Sequence, residues 1–378
     1  MQKRYLFTPG PTPVPPEVLA AMAEPMVHHR GEDFRTVYET CLTRLRAVFR
    51  TESDVLLFAA SGTGAMESAV ANLCGPGERV AVVTAGAFGE RWAAICAHHG
   101  LDTHRIAYEW GEVPSPDEIG SALAESGASI LFCTQSETST GVVADVQAIK
   151  AAAGEATVVV DAVSSLGAVP LETDAWGIDV VVSGSQKALM CPPGLAMASV
   201  APPLWERLPA SRSFYFDWRR TKQAQEAFDA AFTPAVSLIR GLNVAMGMLL
   251  DAGLDAAFER HVRLGRAARA GLKAMGLELF SPDDDTAAVV TAARVPEGVD
   301  GGALLRRLRD HHGVTLAPGQ GALKGKIFRI GHIGWFDVFD IAVALAAVEL
   351  SLTELGAELE RGVAVSRAFE AYEARVPA

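Results

Sequence analysis

Between residues 54 and 185 the chain repeats one alternation. A short apolar run, rich in β-branched residues, gives way to a longer segment with helical spacing of its apolar positions. "DVLLFAA" (54–60) precedes "AMESAVANL", and "RVAVVT" (79–84) precedes "FGERWAAICAHHG". "SILFCT" (129–134) leads through a polar loop to "VQAIKAAAG", and "ATVVVDAV" (156–163) and "DVVVSGS" (179–185) follow. Strands that are apolar on both faces and separated by helices predict an α/β fold with a parallel sheet covered on both sides. Ligands of such sheets gather at the carboxyl ends of the strands.

The pattern changes on either side of this region. After a Pro-rich arm (1–15), residues 16–30 and 32–50 read as helices. Residues 215–275 are helical apart from a Pro-containing break at "FTPAV" (232–236). Residues 278–335 read as a smaller α+β unit: a strand near "AAVVTAARV", a helix near "GALLRRLRDHH", and two strands flanking "APGQGALKGK". A helix pair starting at "DVFDIAVALAAVELSL" closes the chain. The expected division is a large unit over 16–250 and a smaller C-terminal unit over 251–378 that includes the arm 1–15. A chain of 378 residues is too long for one small core.

Composition narrows the class of partner. The chain is 49% apolar and 21% charged, as in ordinary globular proteins. Its net charge of −12, without any basic block, argues against nucleic acid and against anionic membrane surfaces. The N-terminal "MQKRYLFTPGPTPVPPEV" lacks the apolar core of a signal peptide. No run approaches the ~18 apolar residues of a membrane span. Five scattered cysteines (Cys41, Cys74, Cys96, Cys133, Cys191) with no C-x-x-C spacing suggest buried, reduced thiols in a cytoplasmic protein. The histidine pairs 28–29, 98–99 and 311–312 lack the spacing of metal ligands and read as solvated or capping residues.

Three features fall at successive strand ends. In "AASGTGAMESA", Ser61, Gly62 and Thr63 stand where a strand turns into a helix, and free N–H groups at a helix start suit a phosphate. A tight turn alone would explain them equally well. Asp161 ends "TVVVD", where a carboxylate is partly desolvated and needs a partner, unless it is simply a turn former. Lys187 follows "VVVSGSQ" at once. A lysine in a partly dry pocket has a lowered pKa and attacks carbonyls, although a lysine can also snorkel to the surface from such a position. Taken together, a phosphate cup, a buried carboxylate and a strand-end lysine are the set that pyridoxal 5′-phosphate (PLP) requires: a Schiff-base lysine and an acid for the pyridine nitrogen.

With these residues in view, the sequence resembles the class V aminotransferases of PLP fold type I, in particular the alanine–glyoxylate and serine–glyoxylate (serine–pyruvate) branch. The motifs that carry the resemblance are "FTPGPTPVPPEV", "HHRGEDF", "SGTGAMESAVANL", "FGERW", "SETSTGV", "VVVDAVSSLGAVP", "SGSQKALMCPPGL" and "FRIGHIG". The resemblance implies a mostly parallel seven-stranded sheet covered by helices, with a smaller α+β unit. It also implies a homodimer with both active sites at the interface.

Roles follow from the resemblance position by position. Lys187 would be the catalytic lysine and Asp161 the partner of the pyridine nitrogen, with Val163 and Phe88 on the two ring faces. Ser61, Gly62, Thr63 and Gln186 would line the phosphate, joined by Thr233 from the partner subunit. Thr138 would approach the ring hydroxyl. Arg329 would take the substrate carboxylate in a bidentate fork beside Gly10. The family often has tryptophan where Phe88 stands, and any aromatic can stack there. It also often has a tyrosine where this chain has Ala230, which leaves one phosphate contact open to Lys222 or Tyr215.

The expected reaction is ping-pong transamination from alanine or serine to glyoxylate or pyruvate. An acidic donor such as aspartate would need a second cation, for which Arg30, Lys324 and Lys326 are candidates. A PLP-dependent lyase shares the early steps. A cysteine desulfurase would carry histidine in place of Gln186 and a cysteine after Cys191. A nicotinamide dehydrogenase would need a third glycine where Glu67 stands.

Overall fold

The Val- and Leu-rich runs form the middle of a seven-stranded sheet. Its strands are β1 (Asp54–Phe58), β2 (Arg79–Thr84), β3 (Asp102–Ala107), β4 (Ile130–Thr134), β5 (Thr157–Asp161), β6 (Val180–Gly184) and β7 (Ala196–Val200). In space the order is β1-β7-β6-β5-β4-β2-β3. Strand β7 is antiparallel to both its neighbours, and all other pairs are parallel. Two strands escape the apolar pattern for physical reasons. Strand β3, "DTHRIA", lies at the sheet edge with only Ile106 buried. Strand β7, "AMASV", is fully buried but built of small residues.

This computed structural model describes residues 3–374; positions 1–2 and 375–378, the outermost parts of the expected arm and C-terminal unit, lie outside the described residues. Successive side chains of each strand serve opposite faces. Val158 and Val160 join a core with helices α2 (Glu32–Phe49), α5 (Pro116–Ser126) and α6 (Val146–Ala152). Val159 joins the other core, with α3 (Gly62–Leu73) and α4 (Ala87–His98). All five cysteines are free and buried, and burial pushes each thiol well above its usual range.

Helix α1 (Pro16–Met22) stops well before residue 30. Pro25 explains the correction, because it lacks a backbone donor and disfavours helical geometry at Glu24. Beyond β7, helix α7 (Trp218–Gln225) leads into the Pro-containing loop. Helices α8 (Val236–Ala252) and α9 (Leu254–Ala274) then meet at an 87° bend. Gly253 sits at this bend with φ +87. No single helix among the described residues is long and apolar enough to cross a membrane.

The main elements that follow are β8 (Val290–Arg294), α10 (Gly301–His311), β9 (Ala317–Pro318), β10 (Ile327–Gly331), α11 (Val338–Glu354) and α12 (Ala364–Glu373). The three strands form an antiparallel sheet with β10 in the middle. Phe328 and Ile330 enter a core shared with Leu264, Leu308 and Leu345, so alternation sends Arg329 to the opposite face. The N-terminal arm reaches into this region. Tyr5 and Leu6 pair with Val314 and Thr315, Phe7 stacks on Phe336 at 5.7 Å, and Gly331 N donates to Phe7 O at 2.7 Å.

Trp218 anchors the start of α7 to α3. It is fully buried, its Nε1 donates to Ser68 Oγ at 3.1 Å, and its backbone N donates to Asn72 Oδ1 at 3.1 Å. Trp218→Ala is therefore expected to cost about 3–5 kcal/mol of stability in urea unfolding; a loss under about 1 kcal/mol would contradict this packing.

Candidate active site

Strands β5 and β6 are neighbours in the sheet and end side by side, at Asp161 and Gly184. The turn after β6 comes close to the start of α3, and glycine permits this. A Cβ on Gly184 would lie 2.9 Å from Gln186 Oε1 and 3.3 Å from Gly62 N. Lys187 leaves this turn only 7% exposed, and its Nζ donates to Pro9 O at 2.5 Å. The arm is fastened there from its own side. Thr12 N donates to Gln186 O at 3.2 Å, and Thr12 Oγ1 donates to Lys187 O at 3.1 Å. Gly10 holds φ +137, and a Cβ there would overlap the Lys187 side chain.

Burial sets the charges. It pushes the Lys187 ammonium down to about 8, against the pull of Asp161, while Arg329 and Arg91 push the same way as burial. Asp161 is 3% exposed, and burial raises its carboxyl to about 6 although Oδ1 accepts from Val163 N at 2.8 Å. The arrangement presents a dry amine that loses its proton near pH 8, well below an ordinary lysine, one strand away from a buried acid.

A cavity of about 270 Å³ opens between these groups. Gly10, Asp161 and Lys187 line it together with Ser61, Gly62 and Thr63, as do Phe88, Val163 and Gln186. Helix α3 begins at Gly62 with no side-chain cap from Ser61. A Cβ on Gly62 would lie 2.7 Å from Val163 Cγ2, so only glycine admits Val163 at this depth.

Thr138 and Arg329 do not line the cavity and meet each other beside it. Arg329 is 4% exposed; its Nε and Nη2 donate to Pro318 O at 3.0 and 2.8 Å, and its Nη1 donates to Thr138 O. Burial lowers its pKa to about 10, opposed by Glu137. Thr233 lies elsewhere, in a separate pocket with Tyr215, Ala230 and Phe232. Lys222 pairs with Asp54, and Tyr215 stacks on Phe232 at 5.1 Å, so neither reaches the cavity. Arg30 pairs with Asp229 at 2.9 Å, half-exposed, and Lys324 and Lys326 are exposed.

Three residues emerge only from the structure. Ser136 lines the cavity with a buried hydroxyl that has no partner, as has Gln186 Oε1. Arg91 also lines it, one helical turn after Phe88, a spacing that would have placed the two on one face of α4. Glu137 is buried and accepts from Phe88 N at 2.9 Å, Gly89 N at 3.2 Å and Ser139 Oγ at 2.5 Å, so it holds the start of α4. Burial raises its carboxyl pKa.

The amine gives a direct test of this environment. Its rate of condensation with an added aldehyde is expected to rise with pH about a midpoint near 8, because only the neutral amine attacks. The absorbance of the adduct across the pH range measures this; a midpoint at or above the ordinary 10.5 would contradict the burial argument.

The chain matches known proteins along nearly its whole length. The model of the family described as Aminotransferase class-V matches residues 4–328. A Synechococcus sp. (strain PCC 6716) protein named "Soluble hydrogenase, small subunit" is 41% identical over 362 residues, covering 94% of each chain. The L-aspartate–glyoxylate aminotransferase of Paracoccus denitrificans (strain Pd 1222) is 34% identical over 378 residues, covering 97% of this chain and 96% of that one. The crystal structure of ureidoglycine–glyoxylate aminotransferase from Bacillus subtilis superposes with a TM-score of 0.93 at 30% identity, covering 99% of both chains. With Lys187 and Asp161 at adjoining strand ends in a matching fold, the chain belongs to the class V aminotransferases and is a PLP-dependent transferase of fold type I.

Proposed function

We propose that the chain moves an amino group from a small amino acid, alanine or serine, to a 2-oxo acid such as glyoxylate or pyruvate, by a ping-pong route. The observation that carries this reading is the dry Lys187 amine, with its pKa lowered to about 8, facing a cavity that also holds Asp161. Two relatives whose names include glyoxylate support the acceptor. The hydrogenase name finds no counterpart at the cavity, whose lining contains neither cysteine nor histidine.

The residues present fit PLP. The cavity has unpartnered polar atoms on Ser136 and Gln186, and glycines at positions 62 and 184 leave room at the start of α3. Asp161 would hold the pyridine nitrogen, Phe88 and Val163 the ring faces, and Ser61, Gly62, Thr63 and Gln186 the phosphate, with Thr233 of the partner subunit and with Thr138 towards the ring hydroxyl. Bound PLP supplies the aldehyde that captures the amine and a ring that draws electrons from the donor's α-carbon. Lys187 Nζ, neutral at mildly alkaline pH, takes the proton from that carbon and returns it when the acceptor is aminated. Arg329 spends three N–H groups on Pro318 O and Thr138 O, which orients its fork and leaves N–H groups for the substrate's carboxylate beside Gly10.

The donor follows from charge. A dicarboxylic donor needs a second cation; Arg30, Lys324 and Lys326 do not line the cavity, and Arg91, which does, is turned to Thr63 Oγ1. A small neutral side chain needs none. The homodimer reading draws support from the exposed aromatics Phe214, Tyr215 and Phe228 on the segment that leads to Thr233.

Two outcomes are expected. Lys187→Ala should abolish transamination while the unfolding midpoint stays near or above that of the parent, because a buried cation is removed; substantial remaining turnover would refute the assignment. Arg329→Gln should lower kcat/KM roughly 100-fold for alanine and for glyoxylate alike, by loss of a charge-assisted carboxylate fork. Steady-state kinetics with alanine, serine and aspartate checks this and ranks the donors; a preference for aspartate would overturn the small-donor reading.

A further inference from the structure

We propose that Arg91 is the cation that holds the cofactor's phosphate, closing the cup formed by the start of α3. This rests on the reading of the cavity as a PLP site and adds to it a residue with no role so far.

The geometry is specific. Arg91 lies one turn into α4, with its guanidinium carbon 4.8 Å from the centre of the Phe88 ring, on which it rests. Its Nη1 donates to Thr63 Oγ1 at 3.2 Å, which brings the guanidinium to the first turn of α3. Among the described residues no carboxylate pairs with it within 4 Å, and Asp161 feels its charge only at longer range. With one lone pair of Thr63 Oγ1 taken by Arg91, the hydroxyl's own proton remains for an anion.

The neighbouring donors point the same way. Ser61 does not cap α3, and Gly62 N and Thr63 N have no backbone acceptor. Ser136, 3% exposed, turns an unpartnered hydroxyl on the same cavity. A dianion placed there meets donors from a helix start, two hydroxyls and a guanidinium held by stacking.

Charge balance makes Arg91 necessary. Besides Lys187 it is the only cation among the residues that line the cavity, and Asp161 is the only anion. Once the Lys187 amine is engaged with the aldehyde, a phosphate dianion would share the cavity with a buried carboxylate and no protein cation except Arg91. Arg329 is turned towards Thr138 and Pro318, at the substrate side.

The test compares two ligands that differ only in the phosphate. The full-length chain, freed of cofactor, is titrated with PLP and with pyridoxal, following the absorbance of the lysine adduct, for the parent, Arg91→Gln and Arg91→Lys. Arg91→Gln is expected to weaken PLP about 10- to 100-fold and pyridoxal less than about 3-fold, and Arg91→Lys to recover part of the PLP affinity. Thermal melting of the cofactor-free variants is expected to match the parent, which separates binding from folding. Equal weakening of PLP and pyridoxal overturns the proposal, and so does unchanged PLP affinity. Unchanged PLP affinity with a raised KM for aspartate alone would reassign Arg91 to a donor's side-chain carboxylate. Failure of the parent to form an adduct at Lys187 with either ligand would overturn the PLP site itself and Arg91's role with it.

Discussion

Everything at the site depends on keeping one amine dry and reachable at once. An ammonium group resists burial, and Lys187 is buried; the structure resolves the conflict by lowering its pKa and giving Nζ a single carbonyl, Pro9 O. That carbonyl comes from the far end of the chain. The arm that supplies it is itself held by the ladder to Val314 and Thr315 and by Gly331 N. The lysine's environment therefore needs the seven-stranded sheet, the three-stranded sheet and the arm together.

The sheet topology explains why the acid and the amine come so close. Strands β5 and β6 are parallel neighbours, so residues that follow their ends emerge at the same edge. The same edge receives the start of α3 from β1, which lies two places away across the antiparallel β7. Close approach there depends on missing side chains: Gly62 admits Val163, and Gly184 admits the turn of Gln186. Glu137 adds a second level of order by binding the first backbone N–H groups of α4, and so fixes where the Phe88 ring begins.

Much of this was legible in the residues. Asp161 and Lys187 stood out because polar groups at the ends of apolar strands are costly without a task, and five strands announced themselves by apolar runs. Strand β3 did not, because an edge strand needs little burial, and β7 did not, because Ala, Met and Ser carry no strand signal. The helical spacing after residue 16 runs on beyond Met22, but Pro25 ends α1 early. Arg91, Ser136 and Glu137 were silent for another reason: each works through the face it presents, and a face is known only when α4 and the loop after β4 have been placed. Thr233 lies apart from the cavity, in a pocket with Tyr215, Ala230 and Phe232, because the loop before α8 carries it there.

The hydrogen bond between Lys187 and Pro9 has a thermodynamic side. A reaction at Nζ that takes its N–H away from the arm's carbonyl leaves the arm held by Thr12, by Gly331 and by the ladder to Val314 and Thr315. The free energy of fastening the arm and the free energy of reacting at the amine are thus linked, and linkage is reciprocal. Residues 5–12 act as a clasp whose tightness enters the equilibrium of reaction at the lysine.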